Sequence, residues 1–85
     1  MSNNNLYFVI DMNYGTVYGP KDNAKSYDEA LRKIRINAEN ESIYAYKQLK
    51  SAENRDNKIS ANGTDSMHTV KVVRFVRNLN NYQML

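Results

Sequence analysis

The side chains that could catalyse a reaction are few and scattered in this 85-residue chain. His68 is the single histidine, and Asp65 and Ser66 stand just before it. Adjacent residues of an extended strand point to opposite faces, so these three do not form a catalytic triad. A lone histidine at a strand end is more often structural than catalytic. We therefore predict no catalytic residue and a protein that is not an enzyme. A small metal-free ribonuclease that uses His68 as its acid–base group is the catalytic alternative.

Metal and cofactor chemistry has no support in the sequence. The chain has no cysteine, which excludes disulfides and zinc–thiolate sites and is typical of a reducing compartment. The histidine and the carboxylates lack metal-ligand spacing, and no glycine-rich phosphate-binding motif occurs. No apolar run approaches the roughly 18–20 residues that cross a bilayer. We predict no metal, no cofactor and no membrane contact, and we expect a cytoplasmic protein.

Basic and aromatic side chains give the stronger functional signal. The chain carries twelve Lys and Arg against nine Asp and Glu, and residues 42–85 hold seven of the basic groups and only three of the acidic ones. Cations that follow phosphates, together with rings that stack on bases, are typical of proteins that bind single-stranded nucleic acid. The alternative is that the tyrosines pack in a half-buried sheet and the charges keep the surface soluble. The predicted nucleic-acid-binding residues are Arg32, Lys33, Arg35, Tyr44, Tyr46, Lys47, Lys50, Lys71, Arg74 and Arg77.

The first half of the chain predicts a β-hairpin. Residues 6–11 are β-branched and aromatic, and Leu6, Phe8 and Ile10 are expected on one face of the strand. Tyr7 and Val9 then belong to the other face. A turn at 13–15, in which the glycine can adopt a positive φ, leads to a second strand at 16–18. The Gly-Pro pair that follows ends this strand, because proline cannot donate to a sheet.

A helix is predicted after the hairpin. Ser26 is a good N-cap, and Glu29 three residues later completes a capping box. Apolar residues then recur at a helical period, at Tyr27, Ala30, Leu31, Ile34 and Ala38, and this side should pack on the sheet. Ile36 projects to the opposite side, where it marks either a fraying helix end or a contact point.

The second half of the chain predicts two more strands, at 42–50 and 67–76. Alternation in the last strand breaks at the pair Val72-Val73, which suggests a bulge. Residues 51–66 between the strands are almost all polar, so we predict a long loop that is either functional or disordered. The tail at 78–85 ends in Tyr82, Met84 and Leu85, which could dock on the domain or contribute to an oligomer contact.

These elements predict a single α+β domain over residues 1–85. The expected architecture is a small antiparallel sheet in ββαββ order with one helix packed on one face. One helix leaves the other face of the sheet uncovered, so exposed tyrosines at 7, 44 and 46 or a second chain should cover it. A homodimer is therefore one expectation.

The first half also resembles small early proteins of T4-type tailed phages. The resemblance lies in residues 7–10 (YFVI), 15–20 (GTVYGP) and 26–31 (SYDEAL), followed by a tyrosine-rich segment. Proteins of this kind often act in host takeover or counter-defence, and they include an inhibitor that binds RNA and silences a toxin–antitoxin ribonuclease. The resemblance implies such a function for this chain but assigns no residue to it.

Three functions are consistent with the sequence. The first is a non-enzymatic, phage-type counter-defence protein whose partners are RNA, a host toxin–antitoxin ribonuclease, or both. The second is a protein–protein inhibitor of another host defence or metabolic protein, which acts through a sheet edge or the Ile36 region without nucleic acid. The third is the small ribonuclease.

Overall fold

Five antiparallel strands form the centre of the structure, a computed structural model that describes residues 5–62, 69–79 and 81–85. The strands lie side by side in the order β3-β2-β1-β4-β5. They comprise β1 (Asn5–Asp11), β2 (Thr16–Tyr18), β3 (Asn23–Ala24), β4 (Val70–Val76) and β5 (Asn81–Met84). The helices are α1 (Tyr27–Ile36), α2 (Glu41–Tyr44) and α3 (Leu49–Asn62). The α+β class with an antiparallel sheet is confirmed, but the predicted ββαββ order with one helix is wrong in detail.

The central strand β1 is buried on both faces. It pairs with β4 along its whole length and with β2 at its other edge. Leu6, Phe8 and Ile10 point into one apolar cluster. Tyr7 and Val9 point into a second cluster on the opposite face. The predicted alternation is confirmed, and each of its two faces has its own core.

Helices cover both faces of the sheet. Leu31 and Ile34 of α1 pack on the first cluster, and Tyr44 of α2 is buried in it. On the second face, Ala52 of α3 is fully buried and Ile59 packs beside it. The expectation of one uncovered face is wrong, because α3 occupies that face.

The hairpin β1–β2 follows its local sequence signals. Gly15 has a φ of 70°, a left-handed conformation that suits glycine in the turn. Strand β2 ends at Tyr18, as predicted. Gly19 comes next, and a Cβ at that position would collide with the backbone oxygens of Ile43 and Asp22. The chain thus packs closely enough at this point to require glycine.

The start of α1 confirms the predicted cap. The Ser26 side chain accepts a hydrogen bond from the Glu29 backbone N–H at 3.1 Å. The Glu29 carboxylate in turn accepts one from the backbone N–H of Lys25 at 2.7 Å, one residue earlier than in a standard capping box. The helix ends at Ile36, so Ala38 lies beyond it and is exposed.

The predicted third strand at 42–50 is wrong. Residues 41–44 form the short helix α2, and α3 begins at Leu49. Only Tyr46 pairs with the sheet, through two backbone hydrogen bonds of 2.8 Å with Tyr7. Tyr44 is buried in the first cluster and Tyr46 packs on the second. Ile43 and Ala45 also belong to the first cluster, so the segment crosses from one face of the sheet to the other between Ala45 and Tyr46.

The predicted polar loop at 51–66 is also wrong over most of its length. Helix α3 includes residues 49–62, whereas 63–66 lie outside the described residues. Leu49, Ala52 and Ile59 form its apolar stripe at helical spacing. The stripe was hard to recognise in the sequence, because Leu49 precedes the predicted loop and Ala52 is small. Ile59 is the one large apolar side chain of the three that lies within it.

The fourth strand begins later than predicted and has no bulge. It starts at Val70, and the predicted residues 67 and 68 lie outside the described part of the chain. Val72 points to the α3 face and Val73 to the α1 face, in one-to-one register with β1. Val72 and Val73 are both apolar because β4 is buried on both faces of the sheet at this point. The predicted tail at 78–85 contains a further strand, β5, whose residues are all exposed.

Candidate nucleic-acid interface

The basic residues of α1 divide into two roles. Lys33 turns inward: its Nζ lies 3.4 Å from a carboxylate oxygen of Glu29 and donates a hydrogen bond to Tyr44 Oη at 3.2 Å. That hydrogen bond raises the pKa of Lys33. Arg32 and Arg35 are exposed and three residues apart, so their Cβ atoms are neighbours on the helix surface. Lys33 joins α1 to α2, whereas the two arginines face solvent.

The two tyrosines predicted to stack on bases are packed in the structure. Tyr44 is 7% exposed in the first cluster, and its ring centroid lies 4.9 Å from the Lys33 ammonium. Tyr46 is half-buried against the second cluster. Burial raises the pKa of the Tyr46 phenol. Their ring faces therefore form part of the two cores and not a platform on an open sheet.

The remaining predicted residues occupy three separate places. Lys47 and Lys50 are exposed around the start of α3. Lys71 is exposed on β4 beside the end of β1, opposite Ile10. Arg74 is half-buried on the other face of β4, opposite Tyr7. The structure does not bring these four residues together.

Arg77 joins Arg35 of α1 at one groove, which Arg32 does not line. The groove, here called the arginine groove, lies between α1 and the end of β4 and has a volume of about 260 Å³. Apolar side chains form its floor, and two arginines and one glutamate form its rim. It is lined by Leu6, Leu31, Ile34, Arg35, Glu41, Phe75 and Arg77.

An ion pair fixes one side of the arginine groove. Arg77 Nη1 lies 2.6 Å from a carboxylate oxygen of Glu41, whose side chain is 13% exposed, whereas that of Arg77 is 41% exposed. A guanidinium has five N–H donors, so Arg77 can hold Glu41 and still donate to a second anion. The pairing orients the arginine towards the groove before any ligand arrives.

Tyr82, which the sequence analysis assigned to the C-terminal tail and not to the binding site, lies beside the groove. Tyr82 of β5 is 58% exposed and stands opposite Phe75, which is part of the groove floor. Its ring centroid is 5.7 Å from that of Tyr27 at the start of α1. The alternation of residues 81–84 could have indicated a strand with this tyrosine on one face.

The buried carboxylate of Asp11 has a structural explanation. One oxygen accepts backbone hydrogen bonds from Asn13 at 3.0 Å and Tyr14 at 3.2 Å, and the other is 3.4 Å from Tyr18 Oη. Burial, and then the charge of Asp11, raise the pKa of the Tyr18 phenol. These bonds close the turn of the hairpin, so Asp11 stabilises the fold.

The described part of the chain contains no candidate metal site. There, no group of three or more His, Asp or Glu residues could hold a metal ion. His68, the acid–base candidate, lies outside the described residues. Within the same part, no helix has the length and apolar character needed to cross a membrane.

Comparisons with known proteins add no relative to this description. Protein families, curated proteins and solved structures were compared with the chain, and none of them matches it.

Proposed function

We propose that this protein binds RNA at the arginine groove and acts without catalysing a reaction. The observation that carries the proposal is the meeting of Arg35 and Arg77, which come from different elements, around one groove with the exposed Tyr82 beside it. Arginines bind phosphates with several donors at once, and an exposed ring can stack on an unpaired base. A single-stranded RNA segment offers both groups in close succession.

The biological role follows from the resemblance to phage proteins, on which it depends. We propose a counter-defence factor in the host cytoplasm that inhibits a toxin–antitoxin ribonuclease through bound RNA. The net charge of +3 supports attraction to RNA. At the groove itself, Arg77 and Glu41 offset each other's charge, so Arg35 supplies the net positive charge of the lining.

Binding of a labelled single-stranded RNA, followed by fluorescence anisotropy over a salt series, tests the proposal. The paired change Arg35→Gln and Arg77→Gln removes two groove cations. We expect RNA affinity to fall about tenfold or more. The plot of log K against log salt should also become less steep, by the amount that corresponds to the loss of about two phosphate contacts. Circular dichroism must show that the variant keeps its fold, because Arg77 also pairs with Glu41.

The matched control is the paired change Lys50→Gln and Lys58→Gln. It removes the same charge from exposed positions of α3, on the opposite face of the sheet. RNA affinity should fall less than in the groove variant. Equal losses would show that only net charge matters, and an absence of RNA binding at low salt would rule out the function itself.

A pull-down from nuclease-treated lysate separates this function from direct protein inhibition. A ribonuclease partner that is lost on digestion supports RNA bridging, whereas one that survives supports the protein–protein alternative. Ribonuclease activity that disappears in His68→Ala would instead support the enzyme alternative.

A further inference from the structure

Within residues 5–62, 69–79 and 81–85, strand β5 pairs on one side only and forms an edge of the sheet. Its four residues are exposed and include no charge and no proline, which are two devices that natural proteins use to block edge pairing. The opposite edge is different: β3 has two residues, and the backbone N–H groups of Lys21 and Asp22 beside it donate to the Ile43 oxygen at 3.4 Å. Of the two edges, β5 is the one available for another strand.

The register of β5 shows which backbone groups face outward. Leu85 N–H donates to the Val72 oxygen at 2.9 Å, and Gln83 stands opposite Arg74. In an antiparallel pair, hydrogen-bonded and non-hydrogen-bonded positions alternate. The backbone groups of Gln83 therefore point to β4, and those of Tyr82 and Met84 point away from it.

Apolar side chains accompany this edge. Tyr82 and Met84 lie on the α1 face, because they stand opposite Phe75 and Val73 of the first cluster. They are 58% and 51% exposed, so the two side chains together present apolar surface to solvent along this edge. The edge thus offers two backbone pairing positions and two apolar side chains on the same face.

We infer that two copies of this chain pair through β5 in antiparallel register, with Gln83 of each copy on the twofold axis. Tyr82 of each copy then stands opposite Met84 of the other. Four backbone hydrogen bonds join the copies, and the two five-stranded sheets become one sheet of ten strands. The inference does not depend on RNA binding, and in the dimer the Tyr82 ring contacts the second copy, so dimerisation competes with base stacking on that ring.

The edge itself favours a second copy as its occupant. The two outward-facing residues are placed symmetrically about Gln83, so self-pairing satisfies both of them on both chains. Because β5 is uncharged, no like charges meet in this register. The same register places the Tyr82 ring against the Met84 thioether of the other copy, a favourable sulfur–aromatic contact. In the single chain, Tyr82 N–H donates to the Asn81 side chain at 2.8 Å, and pairing with a second copy replaces this bond.

Sedimentation of the full chain over a concentration series tests the dimer. Met84→Pro removes an outward N–H that β4 does not use, so it leaves the internal pairing in place. Two of the four intermolecular hydrogen bonds are lost by symmetry, and we expect the dimer dissociation constant to rise by roughly one to two orders of magnitude. Ile36→Lys changes another exposed apolar residue, 78% exposed on α1, and should leave dimerisation unchanged.

Disulfide trapping tests the register even where Met84→Pro unfolds the protein. The chain has no cysteine, so Gln83→Cys introduces the only thiol. At the axis the two Cα atoms are about 4.5 Å apart, within disulfide range. Rapid formation of a covalent dimer is expected for Gln83→Cys and not for Ile36→Cys. The inference is overturned if the wild-type protein stays monomeric at all concentrations. It is also overturned if a folded Met84→Pro dimerises as well as wild type, or if both cysteine variants crosslink equally.

Discussion

Lys33 illustrates how the fold can engage a basic side chain that the sequence places on a binding surface. Its ammonium is shared by a carboxylate, a phenol and a ring face, all supplied by Glu29 and Tyr44. The sequence placed Lys33 with Arg32 and Arg35, because the three residues stand together in a charged run. The Lys33 side chain stays 37% exposed, so these contacts orient its ammonium towards Tyr44 without burying it.

Glu29 supports a prediction about the pH dependence of stability. Its carboxylate accepts the Lys25 backbone N–H, which is the main reason why its pKa is lowered, and the Lys33 ion pair lowers it further. A carboxyl whose pKa is lowered by folding stabilises the protein above its unfolded pKa, and it loses that contribution as the pH falls through the folded value. We expect Glu29→Gln to be less stable than wild type at neutral pH.

The stability difference between Glu29→Gln and wild type should shrink as the pH is lowered into the acid range. Urea unfolding of the two proteins at several pH values measures it. Glu53→Gln makes the same chemical change on exposed α3 and controls for the loss of one negative charge. A Glu29→Gln difference that persists unchanged below the folded pKa would contradict this account of the cap.

At the scale of elements, local signals predicted the hairpin and α1 well. The β1–β2 turn depends on Gly15, and α1 depends on the Ser26 cap, so each signal lies within a few residues of its effect. Helix α3 could not be recognised in the same way. Its stripe begins at Leu49, before the polar run, and continues through the small residue Ala52. Such a helix becomes stable only when the α3 face of the sheet is present to receive it.

A proline substitution in α3 distinguishes a helix from a loop. Asn57 is exposed in the middle of α3, so its side chain contributes little to packing. Asn57→Pro removes a helical N–H and clashes with the preceding turn, and we expect a loss of about 3 kcal/mol in the free energy of unfolding. Thermal or urea unfolding measures the change.

The control at the same position is Asn57→Ala, which should stabilise α3 by a few tenths of a kcal/mol because alanine has the higher helix propensity. If Asn57→Pro had no effect, residues 51–62 would behave as the polar loop that their composition suggested.

At the scale of the whole molecule, the candidate site depends on contacts that no local pattern specifies. Arg35 and Arg77 meet because β4 returns beside β1 and ends under α1. The sequence singled out both residues as cations, but it gave no means of separating them from Lys47 or Lys71. It also placed the aromatic contribution in Tyr44 and Tyr46, whereas Tyr82 is the tyrosine beside the groove.

The strand order also predicts a gradient of local stability, which hydrogen exchange can measure. Phe8 is fully buried in the central strand, opposite Val73, and its amide should exchange only through global unfolding. The Met84 amide points away from β4 and should exchange rapidly in the monomer. Dimerisation through β5 would protect it, so its exchange should slow as protein concentration rises.

These two amides provide an internal comparison within one sample. The exchange free energy of Phe8 should match the free energy of unfolding from urea titration, because no smaller opening exposes a strand paired on both edges. The Met84→Lys variant tests whether β5 is the source of this protection. If its Tyr82 amide shows no dependence of exchange rate on protein concentration, the protection seen at Met84 in the wild type comes from pairing at the β5 edge. Rapid exchange at Phe8 would mean that β1 is not the stable centre of the sheet. Arg35 and Arg77 would then lack the stable sheet that positions them around one groove.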